Sequence, residues 1–177
     1  MTELGQKAPK PGKVVVEGDL ATLEFERRFL HTPQAVWDAI TQPEQLARWY
    51  MVKAKIDGRP GGSIDYVAGV SQFHVTGRVL VWDPPCIFEY EWNVEPRPEL
   101  PTGERSIIRW EIIPDDGYSI LRLTHRNLTR RTAGGFAPGT HAYLDRLGAF
   151  LDSAPLPDWR KRVEEMWSSY PGWESQG

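Results

Sequence analysis

The side chains best suited to metal or acid–base chemistry are the four histidines, His31, His74, His125 and His141. Zinc sites usually combine histidines and cysteines at short spacings, such as two histidines one helical turn apart. None of these histidines has such a partner, so we predict no metal site. The sequence also lacks a nucleophile elbow and a glycine-rich phosphate loop. We therefore expect no cofactor and assign no catalytic residue.

His125 is the best single candidate for a functional side chain. Apolar and polar residues alternate along residues 121–126, as in a strand with one face on the core. His125 shares the apolar side with Leu121 and Leu123. It is either an ordinary buried histidine, satisfied by a hydroxyl or carbonyl group, or a polar anchor in an apolar pocket. In an enzyme it would be a general acid or base.

Aromatic residues occupy the apolar side of two further predicted strands. They are Tyr90, Trp92 and Trp110. They either fill a bulky core or line an internal cavity. The residues that alternate with them include Glu89, Glu91 and Glu111. These glutamates are expected to face water, and we do not consider them as catalytic carboxylates.

Three arginines precede the last long helix that we predict. Arg126, Arg130 and Arg131 are expected to form a solvated face, or alternatively to attract an anionic head group at a cavity mouth. Gly134-Gly135 follows them, and we interpret residues 127–139 as a flexible connector.

The composition is that of one ordinary globular domain. The chain has 177 residues, of which 40% are hydrophobic and 25% charged. The net charge of −3 gives no electrostatic support for nucleic-acid binding. The single cysteine, Cys86, excludes an internal disulfide and is expected to be unreactive. The sequence shows neither a membrane span nor a signal peptide, so we expect a cytoplasmic protein.

The element expected to position the candidate residues is a helix from Thr140 to Asp152. Its apolar residues recur at intervals of three and four and form one stripe. They are Tyr143, Leu144, Leu147, Phe150 and Leu151. Asp145 and Arg146 lie off this stripe and are expected to face water.

Nearly all of the chain before this helix has the alternating pattern of strands. We expect six or seven antiparallel strands in a curved sheet that wraps around the helix, with a bend or bulge at Gly77. Two short helices, at Pro33–Thr41 and Pro43–Trp49, are predicted after the first strand. This order predicts an α+β fold, because a doubly wound fold would need helices between most strands.

Both ends of the chain are expected to lie outside this domain, which we assign to residues 14–154. Residues 1–13 are predicted to be a flexible tail. Residues 155–177 are predicted to be an extension with an amphipathic helix that Asp158 caps. The apolar face of this helix comprises Trp159, Val163, Met166, Trp167 and Tyr170. It must pack either on its own domain or on a second copy in a homodimer.

Several stretches resemble the START-like superfamily of helix-grip proteins. Phe29–Thr41 is similar to the superfamily opening "apolar-x-x-x-Pro-x-x-Val-Trp-x-Ala-Leu-Thr", and Pro43–Tyr50 continues it. Other stretches resemble the branch named after the activator of heat-shock protein 90 ATPase. They are residues 77–85, 121–128 and 143–147. The resemblance spans about residues 20–154 and implies a curved antiparallel sheet around a long C-terminal helix.

The chain departs from these relatives in two places. Many relatives have Gly-Trp at the start of the last helix, where this chain has Thr140-His141. His141 or Tyr143 is therefore expected to replace an aromatic wall residue. The eukaryotic co-chaperone carries a separate N-terminal domain, whereas here only a short tail precedes the first predicted strand.

The superfamily includes lipid carriers, hormone receptors, aromatic polyketide cyclases and co-chaperones, so three functions stay open. Our first hypothesis is the binding of a small apolar or aromatic ligand in an internal cavity. The alternatives are a co-chaperone-like activator of the heat-shock protein 90 ATPase and an aromatase- or cyclase-type enzyme that uses His125 with Tyr90. The predicted cavity wall comprises Tyr90, Trp92, Trp110, Leu123, His125, Tyr143 and Leu147.

Overall fold

The computed structural model describes residues 9–69 and 73–170. Its strands are β1 (Lys13–Glu17), β2 (Leu20–Phe29), β3 (Val52–Ile56), β4 (Ser63–Ala68), β5 (His74–Asp83), β6 (Ile87–Val94), β7 (Glu104–Asp115) and β8 (Tyr118–Thr129). Its helices are α1 (Pro33–Thr41), α2 (Pro43–Trp49), α3 (Arg130–Leu151) and α4 (Trp159–Met166), followed by a 3-10 turn, Trp167–Ser169. No helix in this part of the chain is long and apolar enough to span a membrane.

The strands form one antiparallel sheet in the order β1-β2-β8-β7-β6-β5-β4-β3. The predicted α+β architecture is therefore confirmed, with eight strands rather than six or seven. The additional strand is β1, which pairs with β2 from Lys13↔Glu24 to Glu17↔Leu20. Four of its five residues are exposed, so no alternation of apolar residues marks it in the sequence. The two short helices consequently follow the second strand.

Helices α1 and α2 have the predicted bounds and lie across one end of the sheet. The Thr32 side chain accepts a hydrogen bond from the backbone N–H of Ala35, which caps α1. The Trp49 indole N–H donates to the carbonyl oxygen of Ala39 at 2.7 Å. This bond between buried groups fixes the two short helices against each other.

Helix α3 is much longer than predicted. It begins at Arg130, so residues 130–139 are helical and the predicted flexible connector is wrong for them. Thr129 caps the helix by accepting from the N–H of Thr132. Pro138 lies inside it and removes only one backbone donor. Thr132, Ala133, Ala137 and Pro138 are buried, and this packing outweighs the low helix propensity of the local sequence.

The outward side of α3 is covered rather than solvated. Arg146 is buried, and the side chain of Asp145 is 10% exposed. The prediction that both residues face water is wrong because α2 and α4 pack over this side. The guanidinium of Arg162 on α4, for example, lies 2.6 Å from Oδ2 of Asp145.

The sheet curves with the help of irregular pairing. The register shifts between Ala21 and Leu23 in β2 and between Val79 and Val81 in β5. We predicted the bend or bulge at Gly77, but the irregularity in β5 lies two to four residues later. Gly77 instead permits close approach to β6, because a Cβ atom there would lie 1.9 Å from the carbonyl oxygen of Glu91.

The C-terminal helix α4 packs on its own chain. Asp158 caps it by accepting from the N–H of Lys161, and the Trp159 indole donates to the carbonyl oxygen of Gly139. After the 3-10 turn, the buried Tyr170 accepts a hydrogen bond from the N–H of Gly12 at 2.7 Å. Residues 1–8 of the predicted flexible tail lie outside the described residues.

Candidate functional site

A cavity of about 280 Å³ lies between the concave face of the sheet and helix α3. Aromatic side chains form much of its wall. The sheet and the residue before β5 contribute Tyr66, Phe73, Trp92 and Trp110. The helical side contributes Trp49, Tyr50, Phe136, Tyr143 and Trp159. The volume is close to the roughly 300 Å³ at which small-molecule pockets begin, so the space suits a molecule of one or two rings.

The structure brings together most of the predicted site residues. Those on the cavity wall are Trp92, Trp110, Leu123, His125 and Tyr143. The sheet supplies the first four from β6, β7 and β8, because alternate residues of a strand share one face. Helix α3 supplies Tyr143. Whether these residues bind a ligand stays a prediction.

Tyr90 and Leu147 do not border the cavity. Tyr90 faces the interior as its strand position predicts, but its ring packs against Phe88 with the ring centroids 4.6 Å apart. Its hydroxyl accepts a hydrogen bond from the Trp110 indole at 3.3 Å. Leu147 is fully buried in the core. Alternation specifies the face of a strand or helix and not the distance from the cavity, so both residues face the interior without reaching the wall.

Several wall residues were not predicted from the sequence. Tyr66 follows the same alternation on β4 and could have been included. Gly135 and Phe136 lie in the segment that we interpreted as a connector, and Trp159 lies in the extension that we assigned outside the domain. Their contribution depends on how α3 and α4 pack, which periodicity alone does not reveal.

We expected either His141 or Tyr143 to replace an aromatic wall residue at the start of the last predicted helix. Thr140 and Tyr143 lie on the wall, but His141 does not. His141 is fully buried elsewhere, and its Nδ1 lies 2.9 Å from the hydroxyl of Tyr170. Tyr143 is therefore the residue that occupies the wall position expected for an aromatic side chain.

His125 is held in one orientation within the wall. It is 4% exposed, and its Nε2 lies 2.8 Å from Oγ of Ser106 on the neighbouring strand. Its ring contacts the rings of Trp92 and Phe136, with centroid distances of 5.3 Å and 6.0 Å. Burial lowers the pKa of His125 to about 3, so the imidazole is neutral at ordinary pH.

The tyrosines of the wall are neutral as well. Burial raises the pKa of Tyr143 to about 12. Burial also raises the pKa values of Tyr50 and Tyr66 well above the ordinary value, in each case with a smaller contribution from the neighbouring Tyr90. Among the described residues, no aspartate, glutamate, lysine or arginine lines the cavity. The site is therefore an uncharged aromatic space with a few hydroxyl groups and one imidazole.

The arginines before and within α3 are not at this site. Arg126, Arg130 and Arg131 do not border the cavity. Arg126 instead pairs with Glu89 on the outer face of the sheet, with Nη1 3.1 Å from Oε2. Glu89 also pairs with Arg109 and is buried, although we predicted that it faces water. Burial alone would raise the pKa of Glu89, but the hydrogen bonds from Arg126 and Arg109 lower it.

Comparison with known proteins identifies the family. Residues 30–152, more than half of the chain, match the family described as Activator of Hsp90 ATPase homolog 1-like protein. The chain belongs to the Activator of Hsp90 ATPase homolog 1-like family. The resemblance noted in the sequence is thereby confirmed. In this member of the family, the matched residues include every described wall residue except Trp159.

Solved structures show the same fold. CalU16 from Micromonospora echinospora is 21% identical, and the match covers 90% of this chain and 92% of CalU16 with a TM-score of 0.68. MLL2253 from Mesorhizobium loti is 25% identical, with 76% and 99% covered and a TM-score of 0.68. PFC0360w, an HSP90 activator from Plasmodium falciparum, is 21% identical, with 62% and 74% covered and a TM-score of 0.51. No curated protein sequence matches the chain.

Proposed function

We propose that this protein binds a small apolar or aromatic molecule in the cavity between the sheet and α3. The observation that carries the proposal is the aromatic-lined space of about 280 Å³ inside an otherwise packed domain. Protein interiors normally contain few voids larger than a water molecule, because each void removes packing contacts from the side chains around it. A bound molecule would restore those contacts.

The chemistry of the wall supports an uncharged ligand. A charged molecule would lose its hydration and find no opposite charge on the described wall residues. An apolar molecule gains free energy from removal of its surface from water, at roughly 25 cal/mol per Å². Burial of about 200 Å² would therefore contribute about 5 kcal/mol before the entropic cost of binding.

The proposal is tested by titration with naphthalene-type compounds, monitored by calorimetry and by tryptophan fluorescence. Trp92, Trp110 and Trp159 lie on the wall, so binding should change their emission. Absence of binding up to the solubility limit of the compounds would contradict the proposal. If the probes do bind, native mass spectrometry of protein purified from its own host would identify the natural ligand.

A blocking variant gives the sharpest test. Gly135 lies on the wall and is also exposed to solvent, which places it at the cavity mouth. A Cβ atom there would meet no atom within 4 Å, so Gly135→Leu can fit without a clash at its Cβ. We expect it to weaken binding at least tenfold. Arg131→Leu, one turn earlier and off the wall, is the control and should leave binding unchanged.

The two alternative functions make different predictions. A cyclase-type reaction using His125 with Tyr90 is disfavoured, because Tyr90 lies outside the wall and its hydroxyl is bonded to Trp110. Activation of the Hsp90 ATPase is suggested by the family description and by the Plasmodium falciparum activator. It would require that equimolar protein stimulates the chaperone's ATP hydrolysis, and that Gly135→Leu leaves this stimulation intact.

A further inference from the structure

We propose that the molecule in the cavity carries a hydroxyl or N–H group that donates a hydrogen bond to Nδ1 of His125. The inference rests on the proposed function, because it names a chemical class of ligand for the same cavity. That class comprises phenols, other hydroxylated aromatic molecules and N–H heterocycles of one or two rings. Hydrocarbons and molecules that can only accept hydrogen bonds would bind less well.

The first step of the argument assigns the proton on His125. The hydroxyl of Ser106 lies 3.0 Å from the carbonyl oxygen of Trp92 and 2.8 Å from Nε2 of His125. A carbonyl oxygen can only accept, so the hydroxyl proton of Ser106 is directed to Trp92. Ser106 Oγ must then accept from His125, which places the imidazole proton on Nε2. The other ring nitrogen, Nδ1, carries a lone pair.

The second step concerns the surroundings of that lone pair. No hydrogen bond joins Nδ1 of His125 to any residue in the described part of the chain. In that part, the fully enclosed side-chain polar atoms without a hydrogen-bond partner are Arg27 Nε, His141 Nε2 and Asp145 Oδ1. Nδ1 of His125 is not among them, and His125 lines the cavity. The free lone pair is therefore accessible from the cavity.

The third step explains why this nitrogen discriminates between ligands. Each wall hydroxyl, on Tyr50, Tyr66, Thr140 or Tyr143, can either donate or accept and so can adapt to its partner. Nδ1 of a neutral imidazole with its proton on Nε2 can only accept. A ligand without a donor would cover Nδ1 and leave it unpaired, and sites of this kind reject such analogues.

The experiment compares naphthol with methylnaphthalene, two molecules of nearly the same shape. Affinities are measured by calorimetry for the native protein and for His125→Phe, which keeps a ring but removes the acceptor. The readout is the ratio of the two affinities, because this ratio cancels changes in packing that affect both probes. We expect the ratio to shift by about tenfold against naphthol in the variant, which corresponds to about 1.4 kcal/mol. The control is His74→Phe, which replaces an exposed histidine off the cavity wall and should leave the ratio unchanged. Tyr143→Phe removes a wall hydroxyl but not Nδ1, and tests whether that hydroxyl binds naphthol instead.

A second measurement needs no variant. Nitrogen-15 NMR of the native protein should show Nδ1 of His125 unprotonated, with a resonance that moves when naphthol is added and not when methylnaphthalene is added. If both probes bind and neither the ratio nor the resonance responds as stated, this inference is wrong and the proposed function stands. A shift of the ratio in Tyr143→Phe instead of His125→Phe would also overturn it. If neither probe binds the native protein, the proposed function itself fails.

Discussion

The guanidinium of Arg146 lies 2.8 Å from the carbonyl oxygen of Trp49, a residue 97 positions earlier in the chain. The same side chain donates to the carbonyl oxygens of Arg48, at 3.1 Å, and Pro157. One buried arginine on α3 thus satisfies the end of α2 and the segment before α4. This side chain therefore connects α3 to both of the segments that bring Trp49 and Trp159 to the cavity wall.

Replacement of Arg146 should therefore destabilise the fold. Arg146→Leu leaves three carbonyl groups without their donor, and we expect a loss of about 2–4 kcal/mol in the free energy of unfolding. Urea denaturation measures this loss. Arg160→Leu on the exposed side of α4 is the control and should change stability by less than about 0.5 kcal/mol. Equal effects of the two replacements would contradict the role assigned to Arg146.

The apolar stripe of α3 should carry much of the stability. Leu144→Ala and Leu147→Ala should each cost roughly 2–5 kcal/mol, as buried leucine truncations do. Only Leu144 borders the cavity, so its truncation should also change ligand affinity, whereas Leu147→Ala should not. Leu30→Ala, at a position that is 57% exposed, is the control for denaturation. If both core variants cost less than 1 kcal/mol, this helix is not the centre of the fold.

Gly135→Ala should stabilise the protein. Gly135 lies within α3, and an added Cβ atom would meet nothing within 4 Å. Alanine in a helix interior is favoured over glycine by roughly 0.5–1 kcal/mol because the unfolded chain loses less conformational freedom. Thermal unfolding should show a higher Tm. A lower Tm would mean that the helix at this position is strained in a way that glycine relieves.

His125 should make the protein sensitive to acid. A histidine in the unfolded chain has a pKa of about 6.5, whereas burial lowers the pKa of His125 to about 3 in the folded protein. Between these values the unfolded state binds a proton that the folded state does not, so stability falls as the pH decreases. The full difference corresponds to roughly 4–5 kcal/mol. Above about pH 6.5 this group contributes no pH dependence.

The slope of stability against pH is the measurement. Urea unfolding of the native protein and of His125→Phe between pH 7 and the acid limit of folding should give a shallower slope for the variant, whatever its absolute stability. Carboxylates also titrate in this pH range, but they are the same in both proteins. Their contribution therefore cancels when the two slopes are subtracted. Identical slopes would show that His125 takes up its proton at an ordinary pH in the folded state.

The C-terminal extension should stabilise the domain to which it is bonded. A chain that ends at Ala154 loses Trp159 from the cavity wall and Tyr170 from the N–H of Gly12. We expect a lower Tm and weaker binding of the aromatic probes. Tyr170→Phe removes only the side-chain hydroxyl, so its Tm shows how much of the stabilisation comes from the hydrogen bond to Gly12 rather than from the rest of the extension.

The homodimer stays a prediction. Trp167, which is 46% exposed, would be the contact residue in such a dimer. Analytical ultracentrifugation of both chains tests it, and a monomer in each would exclude it.

Local patterns in the sequence determined the types of element and the direction of their side chains. The Thr32-Pro33 pair specified where α1 begins, because the cap hydroxyl and the fixed backbone of proline act within one turn. Alternation placed Trp92, Trp110 and His125 on the concave face, because a strand has only two sides. These properties depend on neighbouring residues and could be predicted without the fold.

Tertiary packing decided what lies opposite each side chain. Residues 130–139 are helical despite Gly134-Gly135 and Pro138 because their buried face packs in the core. Asp145 and Arg146 are covered because α2 and α4 lie over a side that the pattern alone marks as polar. Tyr66 reaches the cavity and Tyr90 does not, although both point inward, because the void is local to one part of the sheet. Periodicity specifies a direction, whereas depth and covering depend on contacts between residues far apart in the chain.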